Sequence, residues 1–170
     1  MGKFEKLVDS PAGMEGFRAK YRIPPGVDLE YCSSDQILTK RETRQVVIPM
    51  IAFIEGGKTI PMGRITKDYL RGHRLVPHQC AANMFRILGC ANTLNDQMNL
   101  GLSWHDVVHL YKCHCLNESY YLKSRSDKVR LISCHPKSNK GLKDDHLIIS
   151  GAWHDSLHYP IRAGTPGGAL

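Results

Sequence analysis

The spacing of apolar positions changes twice along the chain. Residues 1–43 hold no sustained period. Pro11, Gly13, Gly16, Pro24, Pro25 and Gly26 punctuate them, and Ser33-Ser34-Asp35 offers the start of a short helix only. This stretch reads as an irregular N-terminal arm. Residues 46–54 are the most apolar segment. Their β-branched side chains favour a strand, but Pro49 cannot donate to a central ladder, and a short helix beginning near it fits equally well. Gly56-Gly57 ends either element.

From Pro61 the period becomes helical. Ile65, Tyr69 and Leu70 predict a helix after Gly63 that stops at Gly72. Pro77 suits a first helical position, with Ala81, Met84, Phe85 and Leu88 following at spacings of three and four. Ser103 is an N-cap candidate with Asp106 as a shortened capping-box partner. Trp104, Val107, Val108, Tyr111 and Cys115 would form the stripe of that third helix. After Asn117 the period shortens, and residues 120–123, 129–132 and 147–149 read as three strands. A hairpin turn at 124–128 would join the first two. The expected fold is α+β: three main helices in the N-terminal and middle part, then a small antiparallel sheet of about three strands. The expected organisation is an arm over 1–43, one domain over 44–158 and a disordered tail over 159–170.

Composition narrows the setting. The chain has 170 residues, 42% hydrophobic and 23% charged, which are globular proportions. No run approaches the ~18 apolar residues of a membrane span. The start, Met1-Gly2-Lys3-Phe4-Glu5-Lys6, lacks the apolar core of a signal peptide. The six cysteines are therefore expected to be free thiols in an intracellular protein, with nucleus and cytoplasm not distinguished. Lys and Arg outnumber Asp and Glu by 23 to 16, a formal net charge of +7, which permits RNA or DNA as partners.

Several catalytic and metal patterns fail on one residue each. Gly57-Lys58-Thr59 resembles the end of a phosphate-binding loop, but Ala52 stands where the first glycine belongs, so a Gly-Gly turn with a solvated lysine is expected. His105 and His109 share a helical face as zinc-protease ligands do, and Cys113 extends that row by four. Asp106, however, replaces the glutamate base, and a further ligand would have to come from Cys115, Cys134, His135 or His154. An integrase-type zinc site fails at Lys137, which occupies the second cysteine position after Cys134. No Gly-x-Ser-x-Gly elbow exists. The expectation is a non-enzymatic chain with no catalytic residue and no cofactor; a zinc domain on His105, His109 and Cys113 is the alternative. The strongest positive signal is basic. Lys123, Arg125, Lys128, Arg130, Lys137, Lys140 and Lys143 crowd the region of the expected strands, with Tyr120 and Tyr121 beside them to stack bases.

Two stretches carry a family resemblance. The first runs Ile60-Pro61-Met62-Gly63-Arg64-Ile65-Thr66-Lys67-Asp68-Tyr69-Leu70, through Leu75-Val76-Pro77-His78-Gln79-Cys80, to Asn83-Met84-Phe85-Arg86-Ile87-Leu88. The second joins Tyr120-Tyr121-Leu122, Ser138-Asn139-Lys140-Gly141 and Trp153. Together they resemble the N-terminal region of plant proteins carrying a gypsy-type transposon domain, transposase-like and retrotransposon-derived. The similarity spans roughly 46–155. It implies a gag-like or nucleic-acid-associated module. No catalytic acid has a place in its motifs. Because the chain stops soon after Pro160, a degenerate element fragment without function is a further expectation.

Overall fold

A computed structural model describes residues 2–37, 44–133 and 145–153. The elements run α1 (Pro11–Lys20), β1 (Val27–Ser33), β2 (Val46–Pro49), α2 (Met50–Ile54), α3 (Arg64–Gly72), α4 (Ala82–Met98), α5 (Trp104–Leu110), β3 (Tyr111–Leu116), β4 (Ser119–Ser124) and β5 (Asp145–Gly151). The fold is α+β, with helices and small antiparallel sheets.

One sheet has the order β1-β5-β2, with both pairings antiparallel. Its central strand, β5, is buried from Asp145 to Ile149. Alternation divides the sheet's two faces. Val27, Val46, Ile48, Leu147 and Ile149 join the main core with the helices. Cys32, Val47 and Ile148 pack on the other face beneath Ile37. The second sheet is the hairpin β3–β4. Its two-residue turn, Asn117-Glu118, has φ of 49° and 64°. Positive φ at both central residues matches the right-handed strand twist.

Three expectations need correction. The stretch read as an irregular arm contains α1 and β1. Ser10 accepts the Gly13 N–H and Pro11 occupies the first turn of α1, so the glycines do not prevent the helix. Leu29 pairs with Ile149 and Tyr31 with Leu147, so the sheet lends β1 the partner that its local pattern lacks. Residues 129–132 form no strand. Their backbone is drawn to side chains instead: Leu131 N–H donates to the Tyr111 hydroxyl, and the Ser124 hydroxyl donates to the Val129 carbonyl. The third helix ends at Leu110, and Tyr111–Leu116 continue as a strand. The expected tail over 159–170 lies outside the described residues.

The three expected helices are present, the second starting later and the third ending earlier than expected, and local chemistry sets their ends. Segment 46–54 is both a strand and a helix, changing at Pro49, whose missing N–H costs nothing at a helix start. Pro77 opens a short 3-10 turn over Pro77–Gln79, and α4 begins only at Ala82. Ser103 and Asp106 form the expected capping box of α5. Gly63 precedes α3 without a capping side chain. Asn92 of α4 replaces it: its Oδ1 accepts the Ile65 N–H at 2.9 Å, and its Nδ2 donates to Thr66 Oγ1 at 2.8 Å and to the Leu88 carbonyl at 2.9 Å. A Cβ on Gly63 would stand 2.4 Å from the Asn92 amide carbon, so only glycine admits this cross-helix cap. Ile65 and Leu70 on the buried side of α3 then contribute about 1.5–3 kcal/mol each, and Tyr69 packs beside them.

Candidate nucleic-acid interface

Asn83 docks the hairpin on α4. Its Nδ2 donates to the Leu122 carbonyl at 2.8 Å, and its Oδ1 accepts the Leu122 N–H at 3.3 Å. The Ala81 N–H donates to the Tyr120 carbonyl at 2.8 Å. One edge of β4 therefore pairs with β3 and the other with the segment entering α4. The register fixes which side chains face out. Cys113 pairs with Leu122 and Tyr111 with Ser124, and Tyr111 and Leu122 are buried. The opposite face carries Lys112 against Lys123 and His114 against Tyr121.

The outer face has two properties of a nucleic-acid platform. Lys112 and Lys123 are exposed and directly opposite, a placement that costs stability unless an anion lies between the charges. Next to them the His114 and Tyr121 rings stack, with centroids 5.5 Å apart and planes at 22°. A ring pair beside paired cations offers a base a π-surface and its phosphate a counter-charge.

The basic residues singled out in the sequence divide. Lys123 lies on this face. Arg125 follows it at the strand end, where its Nε donates to the Val108 carbonyl at 2.9 Å and so caps the end of α5. Arg130 pairs with Asp127 at 2.9 Å on the surface, and such an exposed pair holds its cation only weakly. Lys128 is exposed in the same turn. Lys137, Lys140 and Lys143 lie outside the described residues. Tyr120 faces inward beside Cys115, whereas Tyr121 faces out. Lys112 and His114 were missed. The signal for them was the alternation Tyr111-Lys112-Cys113-His114, which the apolar stripe of the preceding helix obscured.

The candidate metal ligands are not brought together. His105 and His109 are exposed on α5, but Cys113 sits on β3 and not on the helical row. It turns inward, and burial pushes its thiol up, away from the thiolate a metal needs. Asp106, at the protease-base position, accepts the Ser103 N–H at 2.7 Å and the Ser103 hydroxyl at 2.8 Å. Those bonds lower its carboxyl. Among the described residues, no group of three His, Cys, Asp or Glu side chains is close enough to hold a metal ion. Cys115 belongs to no such group, and Cys134, His135 and His154 lie outside the described residues. No helix among those residues is long and apolar enough to cross a membrane.

The solvated lysine expected after Gly56-Gly57 is a further correction. Lys58 is 6% exposed, because the turn folds back on α2, with the Lys58 N–H donating to the Ala52 carbonyl at 2.9 Å. Comparison with protein-family models, curated proteins and solved structures gives no match for the chain.

Proposed function

We propose that the chain is a non-enzymatic, retroelement-derived module that binds single-stranded RNA or DNA through the outer face of β3–β4. The observation that carries this reading is the Lys112–Lys123 pair beside the stacked His114 and Tyr121 rings. Two like charges held opposite one another favour a polyanion. Rings beside them favour one whose bases are free to stack. Arg125, Lys128 and Arg130 extend the positive charge past the end of β4. The retroelement origin rests on the sequence resemblance, and reverse transcriptase or terminal repeats beside the reading frame would support it.

Fluorescence anisotropy with single-stranded oligonucleotides tests the binding. Affinity should fall steeply with salt. The double variant K112E/K123E should lose at least about tenfold in affinity and flatten the log–log salt slope by roughly 1.4, the share of two phosphates. Y121A should cost about 1–3 kcal/mol. No binding at ~50 mM salt, or a double variant that binds like wild type, sinks the proposal.

A further inference from the structure

Away from the hairpin, a cavity of about 410 Å³ opens between the turn after α2 and the helices α3 and α4. Lys58, Thr66, Arg86, Thr93 and Asp96 contribute to its wall. Lys58 is the unusual member. Its ammonium is buried, donates to the Thr59 carbonyl at 2.6 Å and lies 6.0 Å from the centre of the Phe85 ring. Among the described residues no carboxylate lies within salt-bridge reach of it. Arg86, the other cation in the wall, holds the turn in place: its Nε and Nη2 donate to the Glu55 carbonyl at 3.1 and 2.7 Å. Its Nη1 lies 3.8 Å from where a Cβ on Gly57 would stand.

A buried ammonium without a counter-charge is costly, and its burial lowers the Lys58 pKa to about 7. Methionine would fill much of the same volume without that penalty. An anion entering the cavity would give Lys58 the counter-charge that none of the described residues supplies and would meet a second cation in Arg86. Asp96 lies ten residues further along α4, roughly 15 Å, and repels a second negative group at that end.

We propose that this cavity binds a small organic anion, a carboxylate or a phosphate ester, with its charged head between Lys58 and Arg86 and an uncharged or cationic tail toward Asp96. The site is separate from the hairpin surface, so the two proposals stand or fall independently. The other titratable or charged groups lining the cavity, Arg86, Cys90 and Asp96, all sit on α4. α3 contributes Thr66, and the connecting loop contributes Thr59 and Met62.

The test uses sulfate as a tetrahedral oxyanion and acetate as a carboxylate, each against chloride at matched ionic strength. One of them should raise the melting temperature of the wild-type chain saturably. Whichever does so identifies the head group. K58M should melt higher than wild type without ligand and lose the anion-dependent shift. A readout that needs no variant is the NMR titration of the Lys58 Cε–H₂ group, whose midpoint should move to higher pH in the binding anion. Absence of a saturable shift with both anions, an undiminished shift in K58M, or an unmoved Lys58 midpoint in the anion overturns the proposal.

Discussion

The carboxylate of Asp145 accepts the backbone N–H of Phe4 at 2.9 Å, joining the start of the chain to the central strand across 141 residues of sequence. Its other oxygen accepts the Tyr31 hydroxyl at 2.8 Å. Asp145 is fully buried, so these bonds replace the water it gives up on folding. Burial and the neighbouring carboxylate together push the Tyr31 hydroxyl well above its usual range.

Tyr31→Phe leaves one buried carboxylate oxygen without its donor and should cost about 1–3 kcal/mol. Asp145→Ala removes the partner of both donors and should cost more. Urea unfolding curves measure both. A Y31F midpoint equal to wild type would show that the hydroxyl bond contributes nothing net.

Acid should unfold the chain through His146. This side chain is buried on β5, and burial, with His78 nearby, lowers its pKa to about 4 from an ordinary 6.5. The unfolded chain therefore takes up a proton that the folded chain refuses. Stability contributed by the neutral ring is complete above pH 6.5 and is lost as pH falls toward 4, on the order of 3 kcal/mol. Burial lowers His73 too, so it acts in the same sense. His146→Leu should flatten the loss between pH 6.5 and 4 in chemical denaturation without removing it.

Lys58 acts in the same sense at higher pH. Its folded pKa of about 7 lies below the ordinary 10.5, so the unfolded chain binds the extra proton between them. Stability should climb as pH rises from 7 toward 8.5, by about 2 kcal/mol. Above pH 9 the buried Cys80 and Cys113 thiols, both pushed up, reverse the trend, because only the unfolded chain ionises them there. K58M should remove the climb, and a wild-type profile already flat over that window would show that Lys58 stays charged.

The hairpin turn carries a residue that its backbone does not favour. Glu118 holds φ of 64°, a conformation in which glycine has no Cβ penalty. Glu118→Gly should stabilise the hairpin by about 0.5–1 kcal/mol, read as slower amide exchange in β3 and β4. Because residue 118 is outside the Lys112–Tyr121 face, oligonucleotide affinity should change little.

These elements also show what the sequence carried and what it concealed. The starts of α3 and α5 and the strands β4 and β5 were readable because period, caps and breakers agreed locally. β1 was not, because Val27, Leu29 and Tyr31 acquire their meaning from β5, more than a hundred residues later. β3 was not, because Tyr111 and Cys115 fit a helical stripe as well as they fit alternation. Lys123 was found by charge alone, but its partner Lys112 required the register of the hairpin. The burial of Lys58 had no local signal at all: a lysine after two glycines is ordinarily solvated, and only the return of the turn onto α2 encloses it.

The sheet order β1-β5-β2 has a consequence for synthesis. The two outer strands emerge from the ribosome long before the one that joins them, and they share no ladder with each other. Until residue 151 is released, both remain unpaired edges of the kind that invite association with other nascent chains. The last described strand is thus the fastener of the first two. A message cut short ahead of codon 145 would yield a product whose α3, α4 and hairpin can pack while its larger sheet has no centre.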